Sequence, residues 1–193
     1  MGHARMTGGL EPPIAEDRVL RVRLALVAAH DALCLARREA DGAMQDPARL
    51  KWVALGIVST LQGALVAALS GYETATLEAV LNPSQPERIA PVAFLLRRAR
   101  SAEYLNPPER VELSGSRQRA LERVIHVRNA AVHALSVDLP GTFVADIRAA
   151  LQLIEHLVLD APAFDPAPVR VITALIADGI AGLRTALANL EAD

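Results

Sequence analysis

Cysteine is nearly absent from this chain. Cys34 is the only one in 193 residues, so no internal disulfide can form. It lies in Ala32-Leu33-Cys34-Leu35-Ala36, where the apolar surroundings predict a buried, inert thiol rather than a nucleophile. Aromatics are scarce as well, at 3% against 52% hydrophobic residues. That much apolar content excludes disorder over most of the chain. An Ala/Leu/Val interior with few aromatics suits close helix–helix packing better than a sheet. No strand pattern of any length, internal repeat, low-complexity tract or glycine-rich phosphate loop is present. The first 13 residues are polar and lack an apolar segment, so no secretory signal is expected. The best membrane candidate, Val53 to Leu69, includes Ser59, Thr60, Gln62 and two glycines. It falls short of the ~20 apolar residues a spanning helix needs and is read as a core helix. The expected location is the cytoplasm, with no membrane partner.

Charge is more informative in its distribution than in its sum. The formal net charge is -2, so no global field draws the chain to nucleic acid. Between Arg97 and Arg128, however, eight arginines face four glutamates. A local positive excess of this kind is what a phosphate-binding face looks like, although a solvated helix surface gives the same count. Arg97, Arg98, Arg100, Arg119 and Arg123 are the candidate contacts to an RNA backbone.

The periodicity predicts an all-α fold, an up-and-down bundle of five to six helices. Residues 1–14 read as a lead-in and 15–193 as a single helical domain. A first helix is expected over 15–40, stopped by Asp41-Gly42, with His30 an ordinary helix-face histidine. Asp46-Pro47 provides an N-cap and first-turn proline for a second helix ending at Ser70-Gly71, with Trp52 in the core. Further helices are expected over 86–105, 114–135, 142–160 and 169–191, separated by proline-bearing turns, and Glu155-His156 reads as a helix-surface pair.

The segment with the most chemistry is Arg128-Asn129-Ala130-Ala131-Val132-His133. Leu121, Ile125, Arg128, Val132 and Leu135 form one helical stripe, apolar except for the arginine. Glu122, His126, Asn129 and His133 form the adjacent stripe. An arginine on a core-facing stripe needs a partner, which a carboxylate, a second chain or a ligand phosphate can supply. His133 lies five residues on, about 140° around the helix, so one helix does not bring the two together. Two facing copies do so more easily. A metal held by Glu122, His126 and His133 is disfavoured, because seven residues separate the two imidazoles along a straight helix.

The Arg-Asn-x-x-x-His segment resembles the signature of the HEPN superfamily, small helical proteins that carry an Arg-x(4–6)-His motif. Arg23…His30 and Arg119…His126 fit the same spacing, but only Arg128 is followed directly by the asparagine often found there. The resemblance covers residues 114–158 and is architectural over 15–105. It implies a metal-independent endoribonuclease, without a cofactor, that cleaves RNA by attack of the 2′-hydroxyl and leaves a 2′,3′-cyclic phosphate. In that reading His133 moves the proton, Arg128 holds the phosphate and Asn129 orients the histidine or a phosphate oxygen, with His126 and Glu122 auxiliary. The resemblance also implies a homodimer across the motif helix, RNA as partner, and a toxin or defence role with an inhibitory antitoxin protein. The alternative it leaves is a non-catalytic HEPN-like module for dimerisation or for RNA or protein binding.

Overall fold

The computed structural model describes residues 17–133 and 137–192. Among these lie six α-helices: α1 (Arg18–Gly42), α2 (Leu50–Leu69), α3 (Val92–Ala99), α4 (Gly115–His133), α5 (Phe143–Glu155) and α6 (Arg170–Ala192). The chain is an all-α bundle, as its composition required. The expected 1–14 lead-in lies outside the described residues.

Local chemistry sets the helix starts. Asp17 caps α1 by accepting from the Leu20 amide at 3.1 Å. Asp46 accepts from the Ala48 amide at 3.1 Å and opens a short 3₁₀ turn, Pro47–Arg49, that runs into α2. Helix α2 forms the packed centre, in contact with α1, α3, α4 and α5. With its leading turn it spans Pro47–Leu69, 23 residues, and its most apolar 18-residue window has a mean hydropathy of 1.8 and is 72% buried. By length and composition it passes for a membrane span, as does Ala167–Glu191, but its burial is that of a core helix.

The α1–α2 seam is made of small residues. A Cβ on Gly56 would stand 2.7 Å from the Ala32 carbonyl oxygen, and one on Gly63 would stand 2.6 Å from that of Ala25. Between them the buried Thr60 hydroxyl donates to the Gly56 carbonyl at 2.8 Å and lies 3.3 Å from the Ala29 carbonyl oxygen. Only hydrogen atoms on those two glycines allow the backbones so close. Helix α6 packs on the next face of α1, with Gly179 against Leu33 and Gly182 against Arg37.

Four expectations need correction. First, a two-stranded antiparallel hairpin, β1 (Leu81–Asn82) and β2 (Gln85–Ile89), occupies the beginning of the expected 86–105 helix. Pro86 and Pro91 disfavour helical backbone in the residues before them, so helix begins only after Pro91. Second, residues 156–160 form a π-helical turn rather than ordinary α-helix. Third, Trp52 is 37% exposed, with the Lys51 ammonium 5.2 Å from its ring centre. Its neighbours Val53 and Ala54 take the inward positions instead. Fourth, Cys34 is exposed, because the core side of α1 is taken by Leu33 and Ala36.

Buried polar groups tie the elements together. The Arg21 Nε donates to Ser70 Oγ at 2.9 Å, and Arg18 donates to the Gly71 carbonyl, which fixes the exit of α2 against the start of α1. At the other end Arg49 donates to Glu39 at 2.9 Å and Arg38 at 3.1 Å. The Arg49 hydrogen bond holds the Glu39 carboxyl below the ordinary glutamate range; burial opposes the shift, and Arg38 adds to it. A depressed folded-state value means the pair stabilises the fold above the unfolded glutamate value and is lost as pH falls through the folded one. Glu39→Gln is therefore expected to lose less melting temperature than the parent on acidification through that range. An identical acid slope in thermal melts of the two proteins overturns the assignment.

Candidate functional site

The motif lies on α4. Ser114 starts the helix by accepting from the Arg117 amide at 3.3 Å, with the Ser116 hydroxyl 2.9 Å away. The buried face consists of Ala120, Leu121, Val124 and Val127. This is a correction: the expected stripe was Leu121, Ile125, Arg128, Val132 and Leu135. Of these only Leu121 is buried, Ile125 and Arg128 are half-buried, Val132 is 48% exposed, and Leu135 lies outside the described residues. The helix is turned toward Val124 and Val127, which removes apolar surface from water without burying a guanidinium in the centre of the face.

Arg128 consequently sits at the edge of the buried face. Its Nη1 donates to Asn129 Oδ1 at 2.9 Å, and its Nε is buried without a hydrogen-bond partner among the described residues. Asn129 thus orients the arginine. His133 is exposed in the last turn of α4 and has no hydrogen-bond partner among the described residues. Glu122, His126 and Asn129 are likewise exposed, so their expected stripe is a solvent-facing one. No contact brings Arg128 and His133 together within the chain, in keeping with the angle between them.

A groove of about 560 Å³ opens beside this stripe. Arg119, Glu122, Arg123 and His126 line one wall, and Asp138, Leu139 and Pro140 line the other. His133 continues the stripe beyond the groove. Of the expected RNA-contacting arginines, Arg119 is exposed at the groove, and Arg100 reaches α4 through Gln118 at 3.2 Å. Arg97 is exposed and lies over Phe94, 4.5 Å from the ring centre.

Two of the five are committed to the fold. Arg98 stacks on Phe94 and donates to the Ala79 and Leu81 carbonyls at 2.9 and 3.0 Å, fastening the hairpin to α3. Arg123 makes a two-pronged pair with Asp146, at 2.8 and 2.6 Å. Asp146 is only 2% exposed and also accepts from Thr142, so this pair joins α4 to α5. The Asp146 hydrogen bonds hold the Arg123 guanidinium above the ordinary arginine value.

A second cavity, about 520 Å³, escaped the sequence reading. Arg110, Arg117, Gln152, Glu155, His156 and Asp160 are among its lining residues. Glu155 pairs with Arg184 of α6, and His156 opens the π turn with its Nε2 buried and without a partner among the described residues, so the two are not a simple surface pair. The sequence offered no sign of this, because a π turn carries no residue pattern of its own. Among the described residues no three His, Cys, Asp or Glu side chains converge to hold a metal ion. No family model, curated protein or solved structure matches this chain.

Proposed function

We propose that this chain is a metal-independent endoribonuclease of the HEPN type, acting as a homodimer through α4. The observation that carries the reading is Arg128: a half-buried guanidinium, steered by Asn129, with no carboxylate partner among the described residues. The fold-committed arginines are given acceptors, as Arg123 is given Asp146 and Arg98 two backbone carbonyls, whereas the buried Nε of Arg128 has none among the described residues. Arg128 retains the capacity to take an anion. Exposed imidazoles at His126 and His133 follow on the neighbouring stripe.

In this mechanism the ribose 2′-oxygen attacks the adjacent phosphorus and the bond to the 5′-oxygen breaks. One histidine accepts the 2′ proton and a second returns one to the departing oxygen. His133 takes one role and His126 the other. Arg128 binds the phosphate oxygens as charge builds up in the pentacoordinate state. Since Arg128 and His133 diverge on one helix, the productive pair comes from two chains, with exposed Val132 between them at the contact. Arg119 and Arg100 extend the cationic track, and the substrate places the activity in the cytoplasm. A toxin or defence role, held in check by an inhibitory protein, completes the proposal.

The same divergence favours one other reading, a non-catalytic dimerisation or binding module. Incubation of the purified protein with mixed RNA in EDTA separates the two. Cleavage products ending in 2′,3′-cyclic phosphate are expected. Intact RNA at high protein concentration overturns the nuclease in favour of the module.

A further inference from the structure

On the outer side of α1, far in sequence from the α4 motif, three side chains form an arrangement that the nuclease reading does not use. Cys34 Sγ lies 3.5 Å from His30 Nε2, one helical turn apart. The other ring nitrogen, His30 Nδ1, lies 3.5 Å from Asp31 Oδ1. Cys34 and Asp31 are exposed, and the His30 side chain is 23% exposed, so the group is open to solvent.

The geometry points to one half of a zinc site, completed by the same residues of a second copy of this chain. Zinc–sulfur and zinc–nitrogen bonds of about 2.3 and 2.1 Å, at a tetrahedral angle, set the two donor atoms about 3.6 Å apart. The observed 3.5 Å between Sγ and Nε2 is that edge. A zinc-binding histidine ordinarily presents its second nitrogen to a carboxylate, which fixes the ring and raises its basicity. The Asp31 carboxylate stands on that side of the ring, 3.5 Å from Nδ1.

One chain supplies only two ligands, because no third donor converges there among the described residues. A structural zinc ion takes four. The face around the pair indicates the source of the others. Leu20, Leu24 and Val27 continue the Asp31 and Cys34 stripe at four- and three-residue steps, the spacing of a helix–helix seam. Leu24 is 50% and Val27 39% exposed. A second α1 laid on this stripe covers the apolar residues and brings another Cys34–His30 pair to the ion. Binding displaces the Cys34 thiol proton to solvent, so the ion bridges two thiolates and two neutral imidazoles. This contact uses a different helix from the α4 pairing, and neither depends on the other.

Cobalt(II) titration of the full chain under reducing conditions tests the inference. Thiolate-to-cobalt charge transfer and tetrahedral ligand-field bands are expected, saturating at one ion per two chains. Zinc(II) is expected to raise the mass measured by sedimentation at least twofold, and EDTA to reverse the change. Cys34→Ala and His30→Ala should each abolish both responses with an unchanged far-ultraviolet spectrum, while His30→Cys retains them. Asp31→Asn should weaken affinity by about 10–100-fold. Absence of the thiolate band, saturation at one ion per chain without a change of mass, or a Cys34→Ala protein that still doubles overturns the site.

Discussion

His133→Ala is expected to reduce RNA cleavage by about 10²–10⁴-fold, the usual contribution of a positioned proton carrier. Its fold should survive. His133 is exposed at the end of α4 and bonded to nothing among the described residues, so the change removes at most a favourable charge near the helix C-terminus. Arg128→Ala should lose about 10²–10³-fold, as when one donor to a developing oxyanion is removed. Arg128→Lys should recover only part of this, because an ammonium cannot grip phosphate with two parallel hydrogen bonds. The decisive measurement mixes the two dead proteins. In a site built across a twofold axis, a chain lacking Arg128 still offers His133, and a chain lacking His133 still offers Arg128. Random pairing then gives mixed dimers with one intact site of two, or about a quarter of the parental activity. A mixture as inactive as its components overturns the two-chain site. Parental cleavage by either single variant removes that residue from the mechanism.

The second large effect concerns stability. Alanine at Gly63 must fit a Cβ within 2.9 Å of the Ala29 Cβ as well as against the Ala25 carbonyl oxygen, and Gly56 is as tightly opposed by Ala36. At each glycine two of the three nearest atoms are backbone atoms, which cannot swing away like a long side chain. The helices must separate along the whole seam. Overpacking costs about 1–3 kcal/mol, and contacts this short against backbone put it in the upper half, about 2–3 kcal/mol, offset by roughly 1 kcal/mol of better helix propensity. A net loss of about 1–2 kcal/mol lowers the melting temperature by roughly 2–8 °C at this chain length. The double alanine variant should lose less than the sum, since one separation relieves both contacts. Gly56→Val, with still more bulk at the same point, is expected not to reach the native packing. An unchanged or raised melting temperature for Gly63→Ala, followed by circular dichroism, contradicts so close an approach of α1 and α2.

These glycines show the limits of sequence reading. Periodicity placed a helix across Gly56 and Gly63, and nothing in it revealed that Ala25, Ala29, Ala32 and Ala36 would stand opposite them. Helix starts set by local hydrogen bonds were legible: Asp46-Pro47 opens its helical turn as expected because the partner amide lies two residues on. The β1–β2 hairpin was not, since its strands are short and β2 is exposed along its whole length, so no alternating pattern marks it. For α4 the motif residues were all visible, but the side the helix would bury was not. Val124 and Val127 make a stripe as apolar as Ile125 and Val132, and only packing against α2 and α5 chose between them.

Composition, capping and periodicity alone determined an all-α chain of about six helices and set Arg128, Asn129 and His133 on one helix. Each of these rests on interactions between residues a few positions apart. The rotation of α4, the commitment of Arg123 to Asp146 and Arg98 to the hairpin, the exposure of Cys34 and the groove beside His126 belong to the tertiary structure. They depend on which surfaces of distant segments meet, and on the cost of burying a charged group wherever that meeting supplies it no partner.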